Sequence, residues 1–65
     1  MNIILNGKNH QSQATTVFEL IEELGYVGKR IAVELNGEIV PKSQHETTAL
    51  NENDQLEIVV AVGGG

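Results

Sequence analysis

Apolar residues return along this chain with two different periods. Met1, Ile3 and Leu5 fall at every second position, the spacing of one strand face, and predict a strand over residues 1–5. Asn6-Gly7 then predicts a tight hairpin, because both turn positions favour left-handed dihedral angles. The return strand, from Lys8 to about Gln13, is polar and reads as an exposed edge. From Thr15 the period changes. Val17, Leu20, Ile21 and Leu24 recur at i, i+3, i+4 and i+7, one face of a helix. Thr16 with Glu19 fits a capping box at its start, and Gly25 fits its end. Two helical turns are too short to be stable alone, so the helix must pack on the strands. Gly25–Arg30 is a connection. Ile31, Val33 and Leu35 restore the period of two, and Asn36-Gly37 repeats the hairpin signal. Glu38–Val40 is a short partner strand closed by Pro41. Residues 42–55 lack periodicity, with a helical turn expected at Thr47–Leu50 and a turn at Asn51–Asp54. Leu56–Val62 is the last strand, Leu56, Ile58 and Val60 facing one way and Glu57, Val59 and Ala61 the other.

Strand, hairpin, strand, helix and returning strands describe an α+β fold of the β-grasp, or ubiquitin-like, kind. It is a mixed sheet with one helix across one face, and the first and last strands pair at its centre. The expected core is Met1, Ile3, Leu5, Ile31, Val33, Leu35, Leu56, Ile58 and Val60 under Leu20, Ile21 and Leu24. Residues 1–62 form the domain and 63–65 a flexible tail. One helix covers one sheet face, which leaves Ile4, Ala32, Val59 and Ala61 exposed. Ile39 joins them if Leu35 and Glu38 pair across the turn. Several apolar residues on one open face make a candidate docking surface.

Composition narrows the function by exclusion. A chain of 65 residues is one small domain, without room for both a core and a deep catalytic cleft. No apolar run approaches a membrane span, and Asn2 and Asn6-Gly7 interrupt any signal-peptide pattern. There is no Cys, which excludes disulfides and zinc–thiolate sites and fits a cytoplasmic setting. The net charge is −5, and Lys8, Lys29, Arg30 and Lys42 are scattered along the sequence. That pattern argues against nucleic-acid binding and favours a partner with a basic surface. His10 and His45 have no Cys or Ser pattern around them and read as solvated surface residues, without a metal. Glu19, Glu22 and Glu23 read as a solvated helix face. No residue stands out as catalytic, so the chain reads as no enzyme.

The remaining chemistry lies at Gly63-Gly64-Gly65. Taken alone, such a run is more often a frayed end or a cloning remnant. Read as functional, it is a slender arm of roughly 10 Å carrying a carboxylate into a partner's buried site. An ionised carboxylate is a poor electrophile. Chemistry there needs activation by another enzyme, as an acyl-adenylate made with ATP.

Several stretches together resemble the ThiS family, the bacterial sulfur carriers of thiamine biosynthesis. They are Asn-Gly after the first strand, Leu24-Gly25, the run Val33-Glu34-Leu35-Asn36-Gly37-Glu38-Ile39-Val40-Pro41, Ser43-Gln44-His45-Glu46, Asn53-Asp54 and Glu57–Gly65. The resemblance implies that an adenylating partner activates the Gly65 carboxylate with ATP. Sulfur derived from cysteine by a desulfurase then gives a thiocarboxylate, and a thiazole synthase takes up that sulfur. Gly63 and Gly64 form the arm, and the chain itself holds no cofactor. The family often has Gly where Asn53 stands, but Asn tolerates a left-handed turn. Three other roles remain open on sequence. They are the small subunit of molybdopterin synthase, a protein modifier joined to lysines through Gly65, and a binding module with an incidental tail.

Overall fold

A computed structural model describes residues 1–61. Its elements are β1 (Asn2–Leu5), β2 (Lys8–Gln11), α1 (Val17–Glu23), β3 (Ile31–Leu35), β4 (Glu38–Ile39), a 3₁₀ turn (Lys42–Gln44) and β5 (Gln55–Val60). The five strands form one sheet in the order β2-β1-β5-β3-β4. β1 and β5 run parallel at its centre, and the other pairs are antiparallel. The polar strand β2 lies at an edge and the first and last strands at the centre, as expected, and the two-residue strand β4 forms the other edge. Leu35 does pair with Glu38, so Ile39 lies opposite Glu34.

The alternating residues Ile3, Val33, Leu56 and Ile58 meet Val17, Leu20 and Ile21 of α1 in a single core. Leu5, Leu24, Ile31 and Leu35 pack around it and are partly buried. Met1 is different. It is 38% exposed, because it precedes the sheet's first paired residue, and its ammonium group donates to the Ser12 carbonyl. Ala14, Val40 and Leu50 complete the core from segments without a strand or helix period.

The helix has only seven residues, so its ends matter. Thr16 Oγ1 accepts from the Glu19 amide at 3.2 Å, the first half of the expected capping box. The second half is displaced by one residue. The Glu19 carboxylate accepts from the amide and the hydroxyl of Thr15 at 2.7 and 2.6 Å. Two further first-turn amides find carbonyls in a distant loop, Val17 on Thr48 and Phe18 on His45. This explains the aperiodic stretch after Pro41. Its helical turn falls at Lys42–Gln44 rather than Thr47–Leu50, and Ala49 bridges to Thr16. Its backbone caps the helix, a task that leaves no side-chain period.

At the other end Gly25, with φ +79°, closes a Schellman motif. Its amide donates to the Glu22 carbonyl, and that of Tyr26 to the Ile21 carbonyl. Two expected strands are shorter than their patterns, since β2 ends at Gln11 and β4 at Ile39. β5 begins one residue early and ends at Val60, and Val62 lies outside the described residues.

Candidate functional site

The site is organised by β5, which leads toward the C-terminal glycines. β3 flanks β5 along its length, whereas β1 reaches only its first half. Two turn asparagines extend that support. Asn6, at φ +50°, accepts from the Ile58 amide through Oδ1 at 2.9 Å and donates from Nδ2 to the Ile58 carbonyl at 3.2 Å. Its side chain thus continues the β1–β5 ladder where the backbone of β1 has turned away. Asn36, at φ +51°, accepts from the Gln55 amide at 2.9 Å, and its own amide donates to the Gln55 carbonyl. The Asn36 amide group also donates to Asp54 Oδ1. Beyond the last paired residue, the Ala61 amide donates to the Arg30 carbonyl at 2.8 Å. The strand is therefore held on both sides through Ile58 and on the β3 side as far as Ala61.

The sheet face turned away from α1 carries the predicted docking residues. Val59 lies directly opposite Ala32, and both are exposed, Val59 by 64%. Ile39 is 76% exposed and Ala61 is exposed. Ile4 is half-buried and stands apart, level with Gln55. The face is not continuously apolar. Glu34 lies opposite Glu57 and next to Ile39, so two like charges share a rung between Val59 and Ile4. Opposed like charges are unfavourable in a ladder, and a cationic partner group placed there relieves them. Gly63, Gly64 and Gly65 lie outside the described residues.

Two sequence readings change. His45 is not on the surface. It is 6% exposed, and its Nε2 donates to the Val40 carbonyl at 3.1 Å, since a carbonyl can only accept. Pro41 and the 3₁₀ turn fold it inward, while its own carbonyl caps α1. Glu23 is more than a solvated side chain. Its carboxylate accepts from the Gln13 amide and contacts His10 Nε2 at 3.3 Å, tying α1 to β2. Burial pushes the Glu23 carboxyl up. The bonds from Gln13, Ser12 and His10, with the His10 charge, outweigh that and leave it below the usual carboxylate value. The Glu19 carboxyl is also held low, by the Thr15 hydroxyl first and the Thr15 amide second.

Among the described residues no group of His, Asp or Glu is arranged to hold a metal ion, and no helix is long and apolar enough to cross a membrane. Three cations, the adjacent Lys29 and Arg30 and the more distant Lys42, line one concavity beside α1. Sequence spacing carried no signal for that convergence, which depends on how two loops fold together.

Known proteins are similar to this chain in sequence and in fold. The sequence pattern of the ThiS family matches residues 3–65. A thiazole synthase of Paramagnetospirillum magneticum is 46% identical over 66 residues, and one of Magnetococcus marinus is 39% identical. The match covers all of this chain but only 20% of either of those proteins, so the chain spans about a fifth of their length. An uncharacterized protein of Pyropia yezoensis, ycf40, is 35% identical, with all of this chain and 93% of that protein covered. The crystal structure of the thiamine biosynthesis protein ThiS from Geobacter metallireducens superposes with a TM-score of 0.83 at 30% identity, both chains covered in full. Asn53 adopts the left-handed conformation that the sequence reading allowed for it, at φ +66°. With its β-grasp sheet and a family match that runs through the terminal glycines, the chain belongs to the ThiS family.

Proposed function

We propose that this chain is a sulfur carrier of thiamine biosynthesis and that its reactive group is the carboxylate of Gly65. A partner enzyme joins that carboxylate to the α-phosphate of ATP, releasing pyrophosphate. The persulfide that a desulfurase draws from cysteine then attacks the acyl carbon, and AMP leaves. A second thiol of the partner machinery cleaves the resulting acyl disulfide, becoming part of a disulfide itself and releasing the thiocarboxylate. The thiocarboxylate gives its sulfur to a thiazole synthase, and the Gly65 carboxylate is regenerated with an oxygen in its place. In this cycle the chain is a co-substrate and contributes no catalytic residue.

The observation that carries this reading is the family match through Gly65 in a chain without cysteine. Sulfur has no thiol here on which to ride as a persulfide, so the carboxyl group is the remaining carrier. Two proteins named thiazole synthase contain a stretch similar to the whole chain, which supports a thiazole synthase as the acceptor partner. The sheet serves as the holder. Val59, Ala32, Ile39 and Ala61, with Ile4 at the margin, form the partner-docking face, and Gly63 and Gly64 the arm.

The test is to express the chain with its adenylating enzyme and sulfur source and then treat it with a thiol-selective alkylating reagent. Because the chain has no Cys, an alkyl adduct on the C-terminal peptide reports a thiocarboxylate. The expected result is an adduct at Gly65 that requires ATP and is lost when Gly64 and Gly65 are deleted. A Gly65–lysine linkage to other proteins would instead identify a modifier. Thiazole formation by the truncated chain would sink the proposal.

A further inference from the structure

We propose that the concavity beside α1 is a second docking site, for an acidic peptide segment of a partner protein that presents one apolar anchor. The inference goes beyond the sulfur-carrier reading and does not depend on it. The concavity has a volume of about 450 Å³. Its floor is apolar, made by Phe18, Ile21, Tyr26 and Ile31, with Val27 exposed at the edge. Its rim carries Lys29, Arg30 and Lys42, and one acid, Glu46. These are three of the four Lys and Arg residues of a chain whose net charge is −5.

Backbone geometry fixes this arrangement. The Schellman turn at Gly25 folds Tyr26 back toward Ile21. The Lys29 amide then donates to the Tyr26 carbonyl at 3.0 Å around Gly28, at φ +84°, and delivers Lys29 and Arg30 to the start of β3. Pro41 leads into the 3₁₀ turn that brings Lys42 to the same rim. The His45 ring, fixed by its bond to Val40, closes the wall. Among the described residues the ion pair present is His10–Glu23, so none of the three rim cations is neutralised by a neighbour.

The chemistry of the occupant follows from this layout. An apolar floor under cations rejects a basic segment and rewards an apolar side chain flanked by carboxylates. The cations are exposed beside an apolar floor. A peptide carrying carboxylates and one apolar side chain uses both features, whereas a single phosphate leaves the floor uncovered. The sheet face presents Glu34 and Glu57 and therefore repels the same segment. The two surfaces lie on opposite layers and have opposite charge preference. Arg30 also holds the Ala61 amide, which places the groove's occupant next to the exit of β5.

The experiment is a nuclear magnetic resonance titration of the full ¹⁵N-labelled chain with a short peptide of Glu and Asp around one Trp. The controls are the same peptide with Lys replacing the acids, and inorganic phosphate. Saturable shifts are expected at residues 25–31 and 42–46, with Ala32, Ile39 and Val59 unmoved. The Lys peptide should produce none. Arg30→Glu with Lys42→Glu should leave the spectrum folded and weaken binding at least about tenfold. No saturable shift, shifts on the sheet face, or equal shifts with phosphate alone would each overturn the proposal.

Discussion

At the scale of single residues, asparagine does more here than form turns. Asn6, Asn36 and Asn53 all adopt positive φ, where most side chains crowd the backbone. Each also uses its amide to hold a neighbouring segment. Asn53 accepts from Asn2 Nδ2 at 3.1 Å, and its backbone amide donates to the Asn2 carbonyl, which ties the loop before β5 to β1. The Asn6 side chain bonds both backbone groups of Ile58 in the middle of β5. Replacing Asn6 by Gly keeps the turn and removes both bonds, each worth about 1 kcal/mol net. A loss of about 1–2 kcal/mol in urea unfolding is therefore expected for Asn6→Gly. Asn6→Ala adds the left-handed strain of a non-glycine residue without a compensating bond, roughly 1 kcal/mol more. An Asn6→Gly chain as stable as the parent would refute the ladder role. The Asn-Gly pairs were legible in sequence as turns, but the bonds to β5 were not. They span 52 residues for Asn6 and 19 for Asn36, and they depend on which strand comes to lie beside the turn.

At the scale of elements, α1 illustrates how a helix too short to persist alone is held by its ends. Its charge contacts predict a response to acid. The Glu19 and Glu23 carboxyls both sit below their ordinary value of 4.5, so the folded state favours their ionised forms. The stabilisation they supply is fully present above that value and is lost as pH falls through the lower folded-state values. The urea midpoint should therefore fall as pH drops from about 5 to about 3. With Glu19→Gln and Glu23→Gln together the decline should be shallower. An identical slope in the double variant would show that these contacts contribute nothing to acid sensitivity. The capping Thr16 and the terminating Gly25 were readable because caps have local signatures. The partners of Glu23 were not, since Gln13 and His10 reach it only after β2 packs beside the helix. The segment 42–50 was opaque for a related reason. It offers carbonyls to α1, and a backbone carbonyl has no letter in the sequence.

At the scale of the whole molecule, alternation read the sheet well because a period of two reports directly which side chains meet the helix. It placed Val59, Ala32 and Ile39 on the open face, and it missed the convergence of Lys29, Arg30 and Lys42, which only the meeting of two loops creates. The resulting fold separates tasks by layer. Stability resides between sheet and helix, and the open face carries the residues proposed for docking. This separation makes a double prediction. Val59 and Ile39 are mostly exposed, so changing both to Ser should cost no more than about 1 kcal/mol, the scale of strand propensity. The same change removes the apolar contact proposed for the adenylating partner and should lower kcat/KM for ATP-dependent activation of the chain at least about tenfold. Val33 is buried at the centre of the core, and Val33→Ala should cost about 2 kcal/mol. For a chain of this size that is a large part of the total, which is about 3–10 kcal/mol. Activation measured per folded molecule should nevertheless stay near the parent value, because Val33 does not reach the open face. Loss of activation in Val33→Ala without loss of stability, or normal activation in the double Ser variant, would show that the partner reads a different surface. The groove beside α1 would then be the next face to test by the same pairing of stability and activation.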